Sequence, residues 1–324
     1  MLAAFYDRQG AAADVLHVGE VPDPEPGAGE VRVRLTVSGV NPGDAKKRSG
    51  WLGNPMPFPR VIPHSDGAGV VDAVGVGVDP VRVGERVWVF GAQSYRPFGT
   101  AAELTVVPDA QAVRLPANVS DELGACLGIP GITAHRCVFG DGPVTGKVVL
   151  VHGVLGGVGA MAAQLARWNG ASVVGTVRRA EDVRAVAPTT CDWVVALDDR
   201  DPVSAIRAVA GGVHRVVEVS LSDNVDLDAA VVADGAVIAA YASRADRPSV
   251  PFWPLLFANV TLRMLGSDDF PSEAKGLAVR DLVDAAAEGA LTAGIAARYP
   301  LVDVARSHDY VDAGAHGRVL LTIP

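Results

Sequence analysis

The chain has 324 residues, of which 49% are hydrophobic and 20% charged, and a formal net charge of −9. Its length favours two domains, because single domains usually hold about 100–200 residues, and its even composition is that of a globular protein. The acidic balance disfavours nucleic acid and membrane surfaces as partners.

The sequence predicts a cytoplasmic protein. The N-terminal stretch lacks the basic segment and long apolar run of a signal peptide, and no later window of about 20 residues is free of charged or turn-forming residues. Cys126, Cys137 and Cys191 form no CxxC pair. We therefore expect neither a disulfide framework nor a structural zinc cluster, and we expect the three thiols to be small core side chains.

Residues 1–120 predict a β-rich domain. Short apolar runs such as EVRVRLTVSGV, VGERVWVF and AELTVVPD are separated by glycine, proline and aspartate turns, without convincing helical periodicity. This pattern is typical of a partly open barrel. Residues 299–324 contain a predicted helix, LVDVARSHDYV, and a final strand, HGRVLLTIP, which we expect to complete the same domain.

Residues 121–298 predict a second domain. A capped helix interrupted at Pro130 comes first, and strands such as KVVLVH and GAVIAAY then alternate with helices such as AEDVRAVAP. Because the strands are continuously rich in valine and isoleucine, we expect them to lie buried in a parallel sheet. The predicted fold class is α/β, with a doubly wound parallel sheet and a separate β-rich domain.

A glycine-rich turn follows the strand KVVLVH and leads into an amphipathic helix, which is the context of a dinucleotide-binding turn. Gly156, Gly157, Val158 and Gly159 would bring backbone N–H groups and a helix N-terminus to a pyrophosphate. The usual first glycine of the fingerprint is Val154 here. The alternative is a turn that merely connects a strand to a helix.

Two arginines predict which dinucleotide binds. Arg178 and Arg179 stand at the end of the next strand, shortly after Thr176, where an NAD-specific site carries an acidic side chain about 20 residues beyond the glycines. A guanidinium can hold a 2′-phosphate through charge-assisted hydrogen bonds. The sequence therefore predicts NADPH, the alternative being that both arginines are ordinary solvated residues.

These motifs resemble those of a known family. VHGVLGGVG, preceded by GIPGITAHR, is similar to the cofactor turn of the zeta-crystallin-like NADPH:quinone oxidoreductases, a zinc-free branch of the medium-chain dehydrogenases/reductases. GVNPGDAKKRSG, IPHSDGAGVVDAVG, EVSLSDN and NVTLRMLG resemble further stretches, so the likeness covers nearly the whole chain. It implies a GroES-like barrel domain beside a Rossmann-like domain, NADPH as cofactor, and a homodimer.

The resemblance implies a site without metal. Zinc-dependent relatives hold a catalytic zinc by Cys, His and Cys, and the corresponding positions here are Asn41, Ser65 and roughly Ile129, none of which is a good zinc ligand. Without a Lewis acid, hydride transfer suits a quinone or similar conjugated carbonyl, which spreads the charge onto oxygen. His64 stands where the family usually has glycine, and we expect a loop residue or a lining of the substrate cleft.

The resemblance also implies roles for individual side chains. Asn41 is the expected hydrogen-bond donor to the substrate carbonyl, Arg48 supports the same loop together with Asp44, and Lys46 replaces a common tyrosine and either contacts an anionic acceptor or points into solvent. Asn-Pro-Gly is also a common turn sequence, so a structural role for Asn41 stays open. Further expected cofactor contacts near the nicotinamide are Thr133, Tyr241 and Ser243.

Three interpretations remain at this point. Reduction of a quinone or enone by NADPH is preferred, an enoyl or 2-alkenal reductase on the same fold is the nearest alternative, and a non-catalytic NADPH-binding protein is the third. His135 and His152 are interpreted as packing or hydrogen-bonded residues. The apolar segment at Phe252–Phe257 is expected to lie in the core, with a cleft lining or a subunit interface as alternatives.

Overall fold

The computed structural model describes residues 1–314 and 316–324. In chain order the strands are β1 (Leu2–Phe5), β2 (His17–Glu20), β3 (Glu30–Val40), β4 (Asp66–Val74), β5 (Arg86–Val89), β6 (Leu104–Pro108), β7 (Ala112–Arg114), β8 (Val148–Val151), β9 (Ser172–Val177), β10 (Trp193–Ala196), β11 (Val213–Glu218), β12 (Val232–Ala240), β13 (Thr261–Met264), β14 (Ile295–Pro300) and β15 (Arg318–Thr322). The helices are α1 (Ala12–Val15), α2 (Pro42–Ser49), α3 (Asp121–Gly124), α4 (Ile132–Phe139), α5 (Gly157–Trp168), α6 (Pro202–Ala210), α7 (Leu221–Val231), α8 (Phe252–Phe257), α9 (Ser272–Ala287) and α10 (Val304–Asp312).

The chain divides into two compact units, and the second, Pro130–Thr292, is built on a parallel sheet. Its six strands lie in the order β10-β9-β8-β11-β12-β13, and each neighbouring pair is parallel. Leu150, Val174, Val216 and Ile238 are fully buried on these strands. This is the strand order of a Rossmann sheet. From β8 the chain adds strands first on one side of the sheet and then, from β11 onward, on the other side, so the predicted doubly wound fold is confirmed.

The first unit combines Met1–Ile129 with Ala293–Pro324. Its main sheet follows the order β14-β15-β3-β4-β5-β7, with β6 also paired to β3, and β1 and β2 form a separate antiparallel pair. Neighbours in the main sheet are antiparallel except β14 and β15. The long β3 pairs with three strands, and Val31, Val33 and Leu35 on it point into the core.

This division groups residues 121–129, assigned from sequence to the second domain, with the first unit, and does the same for residues 293–298. Pro130 lies in a π-helical turn, Leu127–Gly131, between α3 and α4, where it interrupts the helix as expected. The predicted limits, 1–120 with 299–324 and 121–298, stay a prediction at this level of detail.

Two local predictions were wrong. α2 forms in a region predicted to lack helices, because Pro42 fits the first helical position and Gly50 ends the helix with a left-handed φ of 75°. The segment AEDVRAVAP forms only a 3₁₀ turn over Ala180–Ala185, since the chain becomes extended at Val186, shortly before a proline.

The expectation that the segment at Phe252–Phe257 lies in the core was also wrong for most of its side chains. Leu255 is buried, but Trp253 is 63% and Phe257 73% exposed. Across residues 1–314 and 316–324, none of the helices has both the length and the apolar composition needed to cross a bilayer.

Candidate functional site

The glycine-rich turn connects β8 to α5 in a tight, left-handed bend. Gly153 has a φ of 69°, and the Gly156 N–H donates to the Gly153 carbonyl at 2.8 Å. α5 then begins at Gly157. Because the first N–H groups of a helix have no partner within it, those of Gly157, Val158 and Gly159 are available at the carboxyl edge of the sheet. This geometry suits a phosphate.

Gly159 is required by the close approach of α5 to the end of β8. A Cβ atom there would lie 2.8 Å from the Gly153 carbonyl carbon and would overlap the carbonyl oxygen, both of which belong to the backbone. At Gly156, by contrast, the nearest atom to an added Cβ is the Gly153 oxygen at 3.2 Å. Gly159 is therefore required by packing of backbone against backbone, whereas Gly156 leaves more room beside the turn.

Thr176 supports this turn rather than facing a ligand. Its backbone carbonyl accepts hydrogen bonds from the Gly153 and Val154 N–H groups, each at 3.1 Å. Its hydroxyl is fully buried and lies 2.9 Å from His152 Nδ1. Sequence reasoning placed Thr176 among the cofactor contacts, and the structure places it one layer beneath the turn.

His152 joins two buried carboxyl groups below the turn. Its Nε2 lies 2.9 Å from Asp228 Oδ1 and 3.5 Å from Glu218 Oε2, and both acidic side chains are fully buried. Burial alone would lower the pKa of His152, but the Asp228 and Glu218 carboxylates more than offset this and raise it. Burial raises the pKa of Glu218 to about 7. Among the residues that the structure describes, this is the one His/Cys/Asp/Glu group with metal-ligand spacing.

Arg178 and Arg179 directly follow the end of β9, and both side chains are exposed. Arg179 Nη1 lies 3.0 Å from Glu181 Oε1, an ion pair with both partners in solvent, which is weak and easily exchanged. The structure thus brings two cations to the edge of the sheet that carries the glycine-rich turn.

The other predicted cofactor residues differ in placement. The Tyr241 N–H donates to the Glu218 carbonyl at 3.0 Å, which holds Tyr241 at the carboxyl end of β12. Ser243 Oγ donates to the Ala245 carbonyl at 2.8 Å and is used within its own loop. Thr133 is buried in α4. Tyr241 therefore lies at the carboxyl end of β12, its contact with the nicotinamide stays a prediction, and the Ser243 hydroxyl is bonded within its own loop.

In the first unit, Asn41 is held rigidly in a buried polar network. Its Nδ2 donates to Asp66 Oδ2 at 2.7 Å, and its Oδ1 accepts from Arg318 Nη1 at 2.8 Å. The Asn41 backbone N–H donates to Asp44, whose pKa burial raises to about 7. Since the charged partners fix which amide atom is nitrogen, one N–H of Nδ2 is left as a donor with a defined direction.

This network does not fit a zinc ion. The side chain of Ile129 has no donor atom for a metal, its backbone N–H donates to Asp66 Oδ1 at 2.8 Å, and Ser65 offers a hydroxyl. The Arg318 guanidinium contacts Asn41 and lies 3.9 Å from Asp66, so a cationic side chain already neutralises the carboxylate. Tetrahedral zinc needs three thiolate, imidazole or carboxylate donors around an open position, and they are not assembled here.

Arg48 and Lys46 both lie on α2, but their side chains have different surroundings. Arg48 is buried and donates to the Gly10 carbonyl and to Asp312 Oδ2, both at 2.6 Å, so it anchors α2 within the unit. The Lys46 Nζ lies 4.5 Å from the centre of the Trp51 ring at the surface. The structure gives no hydrogen bond between either side chain and Asn41.

A histidine pair was missed by sequence reasoning. His64 is fully buried, has a φ of 75°, and binds Ser38 Oγ through Nδ1 at 2.9 Å and His308 Nε2 through Nε2 at 3.0 Å. Burial holds the pKa of His64 well below its usual value and lowers that of His308 to about 3, so both rings are neutral at pH 7. The positive φ explains why a glycine suits this position in the resembled family.

A barrel unit with an ordered polar loop and a Rossmann unit with a phosphate-type turn define the class of two-domain, nucleotide-dependent dehydrogenases. The family model of the alcohol dehydrogenase GroES-like domain matches residues 27–117, and that of the zinc-binding dehydrogenases matches residues 157–280. The chain belongs to the medium-chain dehydrogenase/reductase family, which confirms the resemblance seen in the sequence.

Individual relatives place it within that family. Human quinone oxidoreductase is 29% identical over 309 residues, which cover 93% of this chain and 91% of the relative. A mycobacterial protein solved as a complex with NADPH is 28% identical, with a TM-score of 0.85 over 99% of both chains. The structure of an NAD-dependent alcohol dehydrogenase is 26% identical, with a TM-score of 0.88 over the full length of both chains.

Proposed function

We propose that the protein is an NADPH-dependent oxidoreductase that transfers a hydride to a quinone or similar conjugated carbonyl compound without a metal ion. The observation that carries this proposal is the tight turn at Gly153–Gly159 followed, at the next strand end, by two exposed arginines. The human quinone oxidoreductase relative and the NADPH complex of the mycobacterial relative support it.

In the proposed mechanism, bound NADPH supplies the hydride from its nicotinamide ring, and the chain binds and orients both reactants. The N–H groups of Gly157, Val158 and Gly159 bind the pyrophosphate, aided by the positive end of α5. Asn41 donates a hydrogen bond from its remaining Nδ2 hydrogen to the carbonyl oxygen on which negative charge develops, and solvent water supplies the proton that this oxygen takes up. Because Asp66 and Arg318 hold the amide in advance, little reorganisation accompanies the reaction.

A conjugated acceptor suits this site because no Lewis acid is provided by the polar network around Asn41. Simple ketones and aldehydes require stronger polarisation than one amide hydrogen bond supplies, whereas a quinone delocalises the transferred electrons over its ring and second oxygen. Lys46, at the surface of α2, would favour acceptors with a negative group.

The choice of NADPH over NADH depends on Arg178 and Arg179. Glutamate at both positions should weaken NADPH binding by about 100-fold or more and NADH binding by less than about threefold, since loss of charge-assisted hydrogen bonds costs about 1.5–3 kcal/mol each. Arg280→Glu, an exposed charge reversal in the same unit, is the matched control. Equal losses for both nucleotides would remove the assignment and favour the behaviour of the NAD-dependent relative.

The acceptor class is tested by following NADPH oxidation with a quinone, an enone and an enoyl thioester in parallel. Fastest turnover with the quinone supports the proposal. Preference for the enoyl thioester or for the C=C bond of the enone would make the protein an enoyl or alkenal reductase, because addition of hydride to an activated C=C uses the same parts. Tight NADPH binding without turnover of any acceptor would indicate a non-catalytic nucleotide-binding protein.

We also propose a homodimer formed through the edge of the parallel sheet. β13 is one of the two edge strands, and Met264 on it is exposed. Trp253 and Phe257 on the preceding helix α8 are also exposed and stack on each other, and exposed apolar side chains of this kind are often covered by a partner. Light scattering should give twice the chain mass, and glutamate at Trp253 and Phe257 together should give a monomer. A monomeric wild type would contradict this proposal.

A cytoplasmic location is proposed on the state of the thiols. Cys126, Cys137 and Cys191 are all buried and unpaired with one another, which suits a reducing compartment. Fractionation of expressing cells would test it.

A further inference from the structure

The mechanism above leaves unused the four-residue cluster of His152, Thr176, Glu218 and Asp228, which we call the buried cluster. It joins the ends of three neighbouring strands, since His152 follows β8, Thr176 lies on β9 and Glu218 ends β11, and it reaches Asp228 on α7. All four side chains are at most 1% exposed. The cluster therefore lies directly beneath the turn that faces the proposed pyrophosphate.

The charges in the buried cluster do not balance without added protons. Two carboxylates face one imidazole, and Glu218 Oε2 and Asp228 Oδ2 have no hydrogen-bond partner among the described residues. A neutral imidazole would leave two uncompensated negative charges among buried side chains, which is strongly unfavourable. A proton on each ring nitrogen of His152 satisfies Thr176 and Asp228, and one more on Glu218 makes the cluster neutral.

The same residues control the position of the turn. The Thr176 carbonyl holds the Gly153 and Val154 N–H groups, while its hydroxyl is held by His152. Glu218 accepts hydrogen bonds from the Ser220 N–H and from Asn224 Nδ2, so it also fixes the start of α7. Glu218 is connected to the turn through His152, whose Nε2 lies 3.5 Å from Glu218 Oε2, and then through Thr176, whose carbonyl holds the turn.

We propose that His152, Glu218 and Asp228 are positioning residues whose shared protons hold the glycine-rich turn in its phosphate-binding geometry, so that release of one proton weakens NADPH binding. This inference rests on the proposed nucleotide-binding function. The proton leaves Glu218, the cluster acquires a net negative charge beneath the phosphates, and the nucleotide is repelled.

The direction of the pH effect follows from the groups that face Glu218. They are His152 from β8, Asp228 from α7 and the Tyr241 phenol beyond β12, whose pKa burial raises well above its ordinary value, so that it stays neutral. Burial and the neighbouring carboxylate raise the pKa of Glu218, and proton release accordingly falls near neutral pH. NADPH affinity should decrease as the pH rises from about 6.5 to 8.5.

The test is the dissociation constant of the full chain for NADPH, and for NADH, measured by nucleotide fluorescence between pH 6.5 and 8.5. We expect the wild-type constant to rise at least threefold over this range for both nucleotides, with a limiting slope of tenfold per pH unit. Since NADH lacks the titrating 2′-phosphate, a rise shared by both nucleotides arises from the protein. Glu218→Gln, which cannot release the proton, should bind at all pH values as the wild type does at pH 6.5.

Exposed Glu273→Gln is the matched control and should keep the wild-type pH profile. A wild-type constant that does not change with pH overturns the inference whether or not the Glu218 variant folds. So does stoichiometric zinc in the wild type that is lost in Asp228→Asn, because a metal ion would then fill the place of the protons. Failure to bind either nucleotide at any pH would instead refute the proposed function itself.

Discussion

Replacement of Gly159 by alanine tests the nucleotide turn with a single methyl group. The added Cβ would overlap the backbone carbonyl of Gly153, whereas ordinary contacts of this kind lie beyond 3.4 Å. Neither partner is a flexible side chain, so α5 and the turn must separate by about 1 Å, and such overpacking costs about 1–3 kcal/mol. The shift moves the N–H groups that are proposed to bind the pyrophosphate.

We expect Gly159→Ala to lower the free energy of unfolding by about 1–3 kcal/mol and to weaken NADPH binding about 10- to 100-fold, at 1.4 kcal/mol per tenfold. Urea denaturation and fluorescence titration measure the two effects. Gly276→Ala is the control, because it also lies within a helix and its added Cβ would meet nothing within 4 Å. The free energy of unfolding of Gly276→Ala should rise by up to about 1 kcal/mol, because alanine has the higher helix propensity, and its NADPH affinity should equal that of the wild type. Wild-type affinity in Gly159→Ala would refute the assignment of this turn.

Three further outcomes follow from the first unit. Asn41→Ala should lower kcat about 100-fold with little change in NADPH affinity, as for loss of one donor to a developing oxyanion, and an unchanged kcat would remove Asn41 from the reaction. Arg48→Met should reduce the free energy of unfolding by about 2–3 kcal/mol with kcat preserved, since the hydrogen bonds of Arg48 go to Gly10 and Asp312. A lower kcat with unchanged stability would instead indicate that Arg48 supports the Asn41 loop, as the resemblance implies. The pKa of His308 is about 3 in the folded chain and about 6.5 in the unfolded chain. As the pH falls below 6.5, the unfolded chain therefore binds a proton that the folded chain does not, and the free energy of unfolding decreases, by about 3 kcal/mol at pH 4.5. His308→Gln should lose less stability than the wild type between pH 7 and 4.5, and equal losses in urea melts would contradict the neutral histidine pair.

The second unit could be predicted well from local patterns. Most strands of the parallel sheet are rich in valine and isoleucine, and the glycine-rich turn needs specific residues at neighbouring positions, so both are visible within short windows. In the first unit, α2 could have been predicted from Pro42, Asp44 and Gly50, which are helix-start and helix-stop residues at the correct spacing. Short helices with few apolar residues escape a search based on hydrophobic periodicity.

The buried polar networks could not be predicted in this way. Arg318 reaches Asn41 across 277 positions, and His308 reaches His64 across 244. Nothing in the residues around either partner specifies such a pairing, because the partners meet only when β15 and α10 pack within the first unit. The same holds for Asp228, which completes the cluster with His152 only after α7 packs on the sheet.

Arg48 illustrates a different limit. The resemblance places it in a loop with Asn41, but only the three-dimensional structure shows that its side chain turns away to Gly10 and Asp312. Sequence position on a helix fixes which residues share a face, not which long-range partners are reached.

The most direct test is a single turnover of the NADPH-loaded protein with a quinone after treatment with a strong chelator. Absorbance at the wavelength of the reduced nicotinamide should fall by one equivalent at a rate that chelation leaves unchanged. No loss of absorbance, or a reaction that stops on chelation and returns with added zinc, would contradict metal-free hydride transfer by this chain.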